Sequence, residues 1–214
     1  MFQSTFNTRN LPLEKIDYKK ERKELYKPSA KKCSIVKVPA MHCLMIDGTG
    51  DPEKSERFQQ AIETLFSVSY TLKFALKKAG VIDYGVLPLE GLWWAKDMNA
   101  FTDSRREEWQ WTLFISQPDE VKKKQVTETI KAVREKKGDL LLDDMRFESF
   151  KEGKSAQIMH IGPFSEEGPT IEKLHAFIEE QGLSRRGKHH EIYLSDTRRA
   201  APEKWKTVIR QPVE

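Results

Sequence analysis

The chain has 214 residues, enough for one large domain or two small ones with a buried core. Charged residues make up 33% and the formal net charge is only +4, spread along the chain, so nucleic acid is not expected as a partner. No run of about 18 apolar residues is present and no secretory signal is visible, so no membrane span and a cytoplasmic location are expected.

Residues 1–32 read as a polar, basic extension. A short helix is expected around Leu13–Tyr26, ended by Pro28, and the segment is a candidate cover for a sheet edge. "CSIVKVPAMHCLMIDGTG" then reads as two short strands divided by Pro39. The two cysteines, Cys33 and Cys43, have no CxxC spacing and read as reduced, buried thiols. The strongest helix follows. Asp51 and Pro52 suit its start, Phe58, Ile62, Leu65, Phe66, Leu72 and Leu76 follow helical spacing, and Gly80 suits its end. "DYGVLPLEGLWWA" and "EEWQWTLFIS" read as strands. A linker helix is expected over 119–138, with Val126, Ile130 and Val133 inward. Two strands, "MRFESFKEG" and "KSAQIMHIG", precede a helix from Pro169 to Gln181. Strands "HHEIYLSD" and "WKTVIRQP" close the chain.

"WTLFISQP" from Trp111 and "WKTVIRQP" from Trp205 match at Trp, Ile, Gln and Pro without a gap. Met45 and Met159, Gly80 and Gly182, and Glu90 and Glu191 fall in the same order before them. The fold expected is α+β. Two strand-helix-strand-strand repeats, 33–118 and 139–214, are related by a pseudo-twofold axis around a central ligand cleft.

"VPAMHCLMIDGTGDP", the helix carrying Tyr70, "PLEGLWW" at Pro88–Trp94 and "HHEIYLSD" at His189–Asp196 resemble the gyrase-inhibitor-like (GyrI-like) small-molecule-binding proteins. The resemblance runs over roughly residues 33–213, so 33–214 is expected as that domain. It implies an acidic residue, here Glu191, at the bottom of a cleft with aromatic walls. "LEGLWW" points to a stand-alone subgroup, some members of which hydrolyse cyclopropane-bearing DNA-alkylating compounds. The stretch ahead of the domain is too short for the helix-turn-helix that many relatives carry, which speaks against a ligand-sensing transcription factor.

On the strand "HHEIYLSD", His189, Glu191 and Tyr193 share one face, and His190, Ile192 and Leu194 the other. A carboxylate on an interior strand needs a donor, a cation or a ligand. Glu191 is therefore the candidate general base, with Tyr193 or Tyr70 polarising a substrate carbonyl. Glu90 is a second candidate, expected to face Glu191 across the axis. Trp94 and Trp109 are expected to line the pocket, with Tyr70, Met45 and His160 beside them. No HExxH, GxSxG, GxGxxG or P-loop motif is present, so no metal and no cofactor are expected. The partner expected is a small hydrophobic aromatic molecule. It is either hydrolysed, in detoxification, or merely bound, with Glu191 as counter-charge to a cation.

Overall fold

The computed structural model describes residues 13–101, 103–138 and 140–214, so the start of the basic extension lies outside the described residues. The elements are β1 (Lys15–Ile16), α1 (Tyr18–Glu21), α2 (Lys23–Tyr26), β2 (Ser34–Thr49), α3 (Glu56–Lys78), β3 (Asp83–Tyr84), β4 (Leu89–Trp94) and β5 (Gln110–Gln117). There follow α4 (Lys123–Lys137), β6 (Arg146–Ile161), α5 (Gly168–Glu180), β7 (His189–Tyr193) and β8 (Lys206–Pro212). Six strands close into a barrel in the order β2-β5-β4-β7-β8-β6, while β1 and β3 form a separate pair. Strand, helix, strand, strand therefore occurs in both halves, as β2-α3-β4-β5 and β6-α5-β7-β8, with α4 between them.

Three local expectations are corrected. Pro39 does not divide its strand. β2 pairs with β6 from Ser34 opposite Gln157 to Met45 opposite Arg146, and the ladder skips only Pro39, which has no N–H to give. Its partner β6 is likewise one strand rather than two, and it bends at Gly153, whose φ of +81° only glycine adopts cheaply. The cap of α3 is Ser55 rather than Asp51, with its hydroxyl accepting from the Phe58 N–H at 3.2 Å.

Strand alternation gives the barrel an outer and an inner face. On the outer face α3 covers Leu44, Ile46, Leu113 and Ile115 with Leu65 and Leu72. There α5 covers Ala156, Ile158 and Ile209 with Leu174 and Ile178. Residues on the apolar stripe of each helix thus meet the strands of their own half, and burial of this area is the main stabilising contribution.

The inner face holds charge. His190 lies between two carboxylates, its Nδ1 2.9 Å from Glu152 Oε1 and its Nε2 3.1 Å from Glu90 Oε2. With an acceptor at each ring nitrogen, both nitrogens carry hydrogen and the ring is an imidazolium. Burial alone would lower the His190 pKa, but the flanking carboxylates, Glu152 first, override it and push it up to about 9. Arg210 completes the ladder, with Nη1 3.4 Å from Glu152 Oε2 and Nε 3.1 Å from Gln157 Oε1. All four charged side chains are buried. Two carboxylates against an imidazolium and a guanidinium leave no net charge.

The N-terminal segment closes one mouth of this barrel. α2 inserts Leu25 and Tyr26, both buried, and β1 pairs with β3. Arg210 donates to the Leu25 carbonyl at 2.7 Å and Gln157 to that of Glu24 at 2.5 Å, so the ladder also holds the plug. The segment is a plug more than an edge cover.

Removing one ladder member strands the others. Glu152→Ala is expected to cost about 3–5 kcal/mol in urea unfolding, because two buried cations lose their shared anion. In the wild type, the raised His190 pKa adds stability that is complete below pH 6.5 and is lost as pH rises through about 9. The unfolding midpoint is expected to fall across that window.

Candidate functional site

Strands β4 and β7 pair at the centre of the barrel wall, with Gly91 opposite Glu191 and Leu89 opposite Tyr193. Because His190 points inward, its neighbours His189 and Glu191 point outward. They enter the space between α3, which lies over β2 and β5, and α5, which lies over β6.

A directed chain of hydrogen bonds runs across the floor. Trp93 Nε1 donates to the Tyr193 hydroxyl at 3.1 Å, and that hydroxyl donates to Glu191 Oε2 at 2.8 Å. The indole can only donate, so the direction is fixed. His189 Nε2 lies 3.1 Å from the other oxygen, Glu191 Oε1. The Glu191 side chain keeps 15% of its surface exposed and that of His189 13%, so the floor is reachable from solvent. Burial, and then the Glu191 charge, push the Tyr193 pKa well above its usual value, so its proton stays on.

A second carboxyl stands nearby. Glu167, just before α5, is buried, with the buried Thr207 side chain beside its carboxyl. Burial, and then the Glu191 carboxylate, push the Glu167 pKa up to about 9. It therefore carries its proton at neutral pH. A neutral carboxyl thus stands beside the Glu191 side chain.

Aromatic rings form the walls. Phe164, 42% exposed, sets its edge on Tyr193 at 5.6 Å between centroids and packs against Trp205 at 4.9 Å. On the α3 side Phe58 packs on Trp93, and Tyr70, 48% exposed, stacks on Phe66. Tyr70 also lies within electrostatic reach of Arg198, in the loop after β7.

The other candidates are placed as follows. Glu90 does not face Glu191. It pairs across from Ile192, points inward, and accepts from Ser116 at 3.1 Å as well as from His190. The two glutamates sit at opposite parity on paired strands, so they lie on opposite sides of the wall, and the carboxyl beside Glu191 is Glu167. Trp94 is also inward, donating to Gln110 Oε1 at 3.1 Å under the Lys188 ammonium. Met45 is buried on the inner face. Trp109 stays on the outer side, edge-on to Trp93 at 5.9 Å and stacked on Phe101 at 4.7 Å. His160 bonds Thr170 and the Pro163 carbonyl, which ties β6 to the start of α5.

Trp205 shares its local surroundings with Trp109 rather than with Trp111. Each of that pair follows a 3-10 turn, each accepts at its carbonyl from a glycine (Gly50, Gly162), and each donates its indole N–H to an alanine carbonyl (Ala100, Ala200). Trp111 instead lies within β5, fully buried.

Sequence reasoning did not single out Glu167 or Trp93. Glu167 reads as an ordinary acid at a helix start. Trp93 was betrayed only by Gly91, whose missing Cβ leaves room for the indole. Among the described residues no cluster of three or more His, Cys, Asp or Glu side chains is arranged to hold a metal ion. Cys43 is buried, and burial and then Glu90 push its thiol up to about 12, which leaves it unreactive.

The sequence model for the GyrI-like small molecule binding domain matches residues 31–214. An uncharacterized conserved protein from Listeria innocua is 41% identical, over 93% of this chain and 100% of its own, with a TM-score of 0.87. A hydrolase encoded by lin2189 from Listeria innocua is 40% identical, over 94% of this chain and 100% of its own, with a TM-score of 0.84. The C-terminal domain of EcmrR, 12% identical over 86% of this chain and 97% of its own with a TM-score of 0.54, shares the fold alone. No curated protein matches the chain.

Gly91 offers a direct test of the floor. A Cβ there would stand 2.9 Å from Trp93 Nε1 and 3.0 Å from the Tyr193 hydroxyl. Gly91→Ala is expected to break that hydrogen bond and lower stability by about 1–3 kcal/mol in thermal unfolding. A change in tryptophan emission should accompany it.

Proposed function

The chain belongs to the GyrI-like small molecule binding domain family, and from that premise we propose that its outer cleft binds a flat hydrophobic molecule and hydrolyses it. The observation that carries the reading is Glu191, a partly exposed carboxylate at the cleft floor, fixed by Tyr193 and His189 among aromatic rings. Likeness to a Listeria innocua hydrolase supports it.

The substrate class that suits this floor is a strained cyclopropane conjugated to a carbonyl, as in DNA-alkylating compounds. The substrate stacks against the aromatic walls. Glu191 accepts a proton from a water molecule as its oxygen bonds to a ring carbon. The ring C–C bond breaks, and its electron pair moves into the conjugated carbonyl as an enolate. The enolate then takes the proton that Glu191 accepted, which restores the carboxylate, and the product is the substrate plus one water. Consumption of the alkylating centre would make the reaction a detoxification.

Tyr193 is a positioning residue in this scheme, because its proton already points at Glu191. Tyr70, exposed on α3, is the tyrosine left to meet the substrate carbonyl. Glu167 is the second carboxyl, neutral beside Glu191.

Turnover is read by mass spectrometry as a gain of one water on a neutral cyclopropane alkylator. Glu191→Gln is expected to cut kcat by about 10²–10⁴ with little change in binding. A wild-type protein without turnover, and with cationic ligands weakened selectively in the same variant, would instead make Glu191 a counter-charge in a binding module. The pH profile gives an independent reading. Activity should change with an alkaline limb near pH 9, where Glu167 ionises, and Glu167→Gln should abolish that limb while keeping activity at neutral pH.

A further inference from the structure

The barrel has a second mouth, opposite the one that α2 plugs. A cavity of about 350 Å³ opens there, within the range of small-ligand sites. Met45, Leu92 and Phe150 give its lining an apolar part. The segment Arg186–Lys188 crosses its rim.

The rim is unbalanced in charge. Arg146 is spent on Asp47 and Glu148. Glu152, at the bottom, is spent on His190 and Arg210. Among the described residues Arg186 donates only to neutral oxygens, the carbonyls of Glu152 and Val213. Lys188 has no carboxylate within salt-bridge distance among the described residues; its ammonium lies over the Trp94 ring, 3.1 Å from the centroid. Partial burial lowers the Lys188 pKa, with Asp47 opposing the shift. Arg186 and Lys188, with Lys151 also on the lining, thus stand beside Met45, Leu92 and Phe150 without a carboxylate in salt-bridge distance among the described residues.

We propose that this mouth is a second small-molecule site, for an amphipathic organic anion such as an aromatic carboxylate, with its ring on Met45, Leu92 and Phe150 and its charge between Lys188 and Arg186. The site is separate from the outer cleft. Leu92 on β4 lines it, whereas Trp93 on β4 and Glu191 on β7 face the cleft, so β4 alone carries residues of both. The two sites also select opposite charge, since the cleft floor is a carboxylate.

The test is isothermal titration of the full chain with 2-naphthoate, and with 2-naphthylmethylammonium as the cationic control. The wild type is expected to bind naphthoate saturably, and more weakly as salt rises. Lys188→Glu should weaken it by about tenfold or more, Lys188→Ala by less, and Lys188→Arg hardly at all. Lys188 is a half-buried surface residue, so these variants should keep the wild-type circular dichroism. Absence of saturable naphthoate binding in the wild type would overturn the proposal. Equal affinity in folded Lys188→Glu and Lys188→Ala would also do so. Tighter naphthoate binding in Glu191→Gln would place the anion in the outer cleft and overturn it as well, whereas unchanged binding supports a separate site.

Discussion

His190 carries a positive charge in the middle of a barrel, and it can do so only because Glu90 and Glu152 flank it. A buried charge without a partner costs far more than any single apolar contact returns. Neutrality therefore fixes which residues of four strands meet: Glu90 on β4, Glu152 on β6, His190 on β7 and Arg210 on β8. The same arginine reaches the Leu25 carbonyl and so ties in the N-terminal plug. Such a network adds little net energy over an apolar core, but it admits few alternative registers. A slip of one residue on β7 would point His190 out and Glu191 in, and neither would find its partner.

The outward cluster follows from that inward one. With His190 locked inside, alternation leaves His189, Glu191 and Tyr193 on the outer face. Trp93 reaches Tyr193 there because its neighbour Gly91 has no side chain. The Glu191 carboxylate is then oriented by two groups, and its field, with burial, keeps a proton on Glu167. One constraint inside the barrel thus places an ionised and a neutral carboxyl side by side outside it.

The two sides of the wall differ in sign. Outside, an anion lies on the floor of an aromatic cleft. Inside, Glu90 and Glu152 are consumed by the ladder and Glu148 by Arg146, and at the rim Lys188 has no carboxylate in salt-bridge distance among the described residues. This asymmetry has a simple origin: the buried ladder uses each acid that alternation sends inward on β4 and on the middle of β6.

Much of this was legible in the sequence. Apolar spacing at 3.6 residues fixed the existence of α3, α4 and α5, since an amphipathic helix needs no distant partner to declare its buried stripe. Gly80, Gly138 and Gly182 mark their ends, each with positive φ. Alternation in "HHEIYLSD" already separated His189, Glu191 and Tyr193 from His190. The element order of both halves could be read from local signals as well. What the sequence could not decide was the register between strands far apart in the chain. Pairing Gly91, not Glu90, with Glu191 is a long-range fact, and it alone sends Glu90 inward and brings Trp93 to Tyr193. The aligned Trp motifs are off by two residues for the same reason: such a shift preserves parity, and only tertiary partners, Gly50 and Ala100 for Trp109, Gly162 and Ala200 for Trp205, distinguish Trp109 from Trp111. Glu167 was silent too: an acid before a helix has an ordinary local reading, and its proton comes from a burial and a neighbouring charge that exist only once β7 and α5 are packed together.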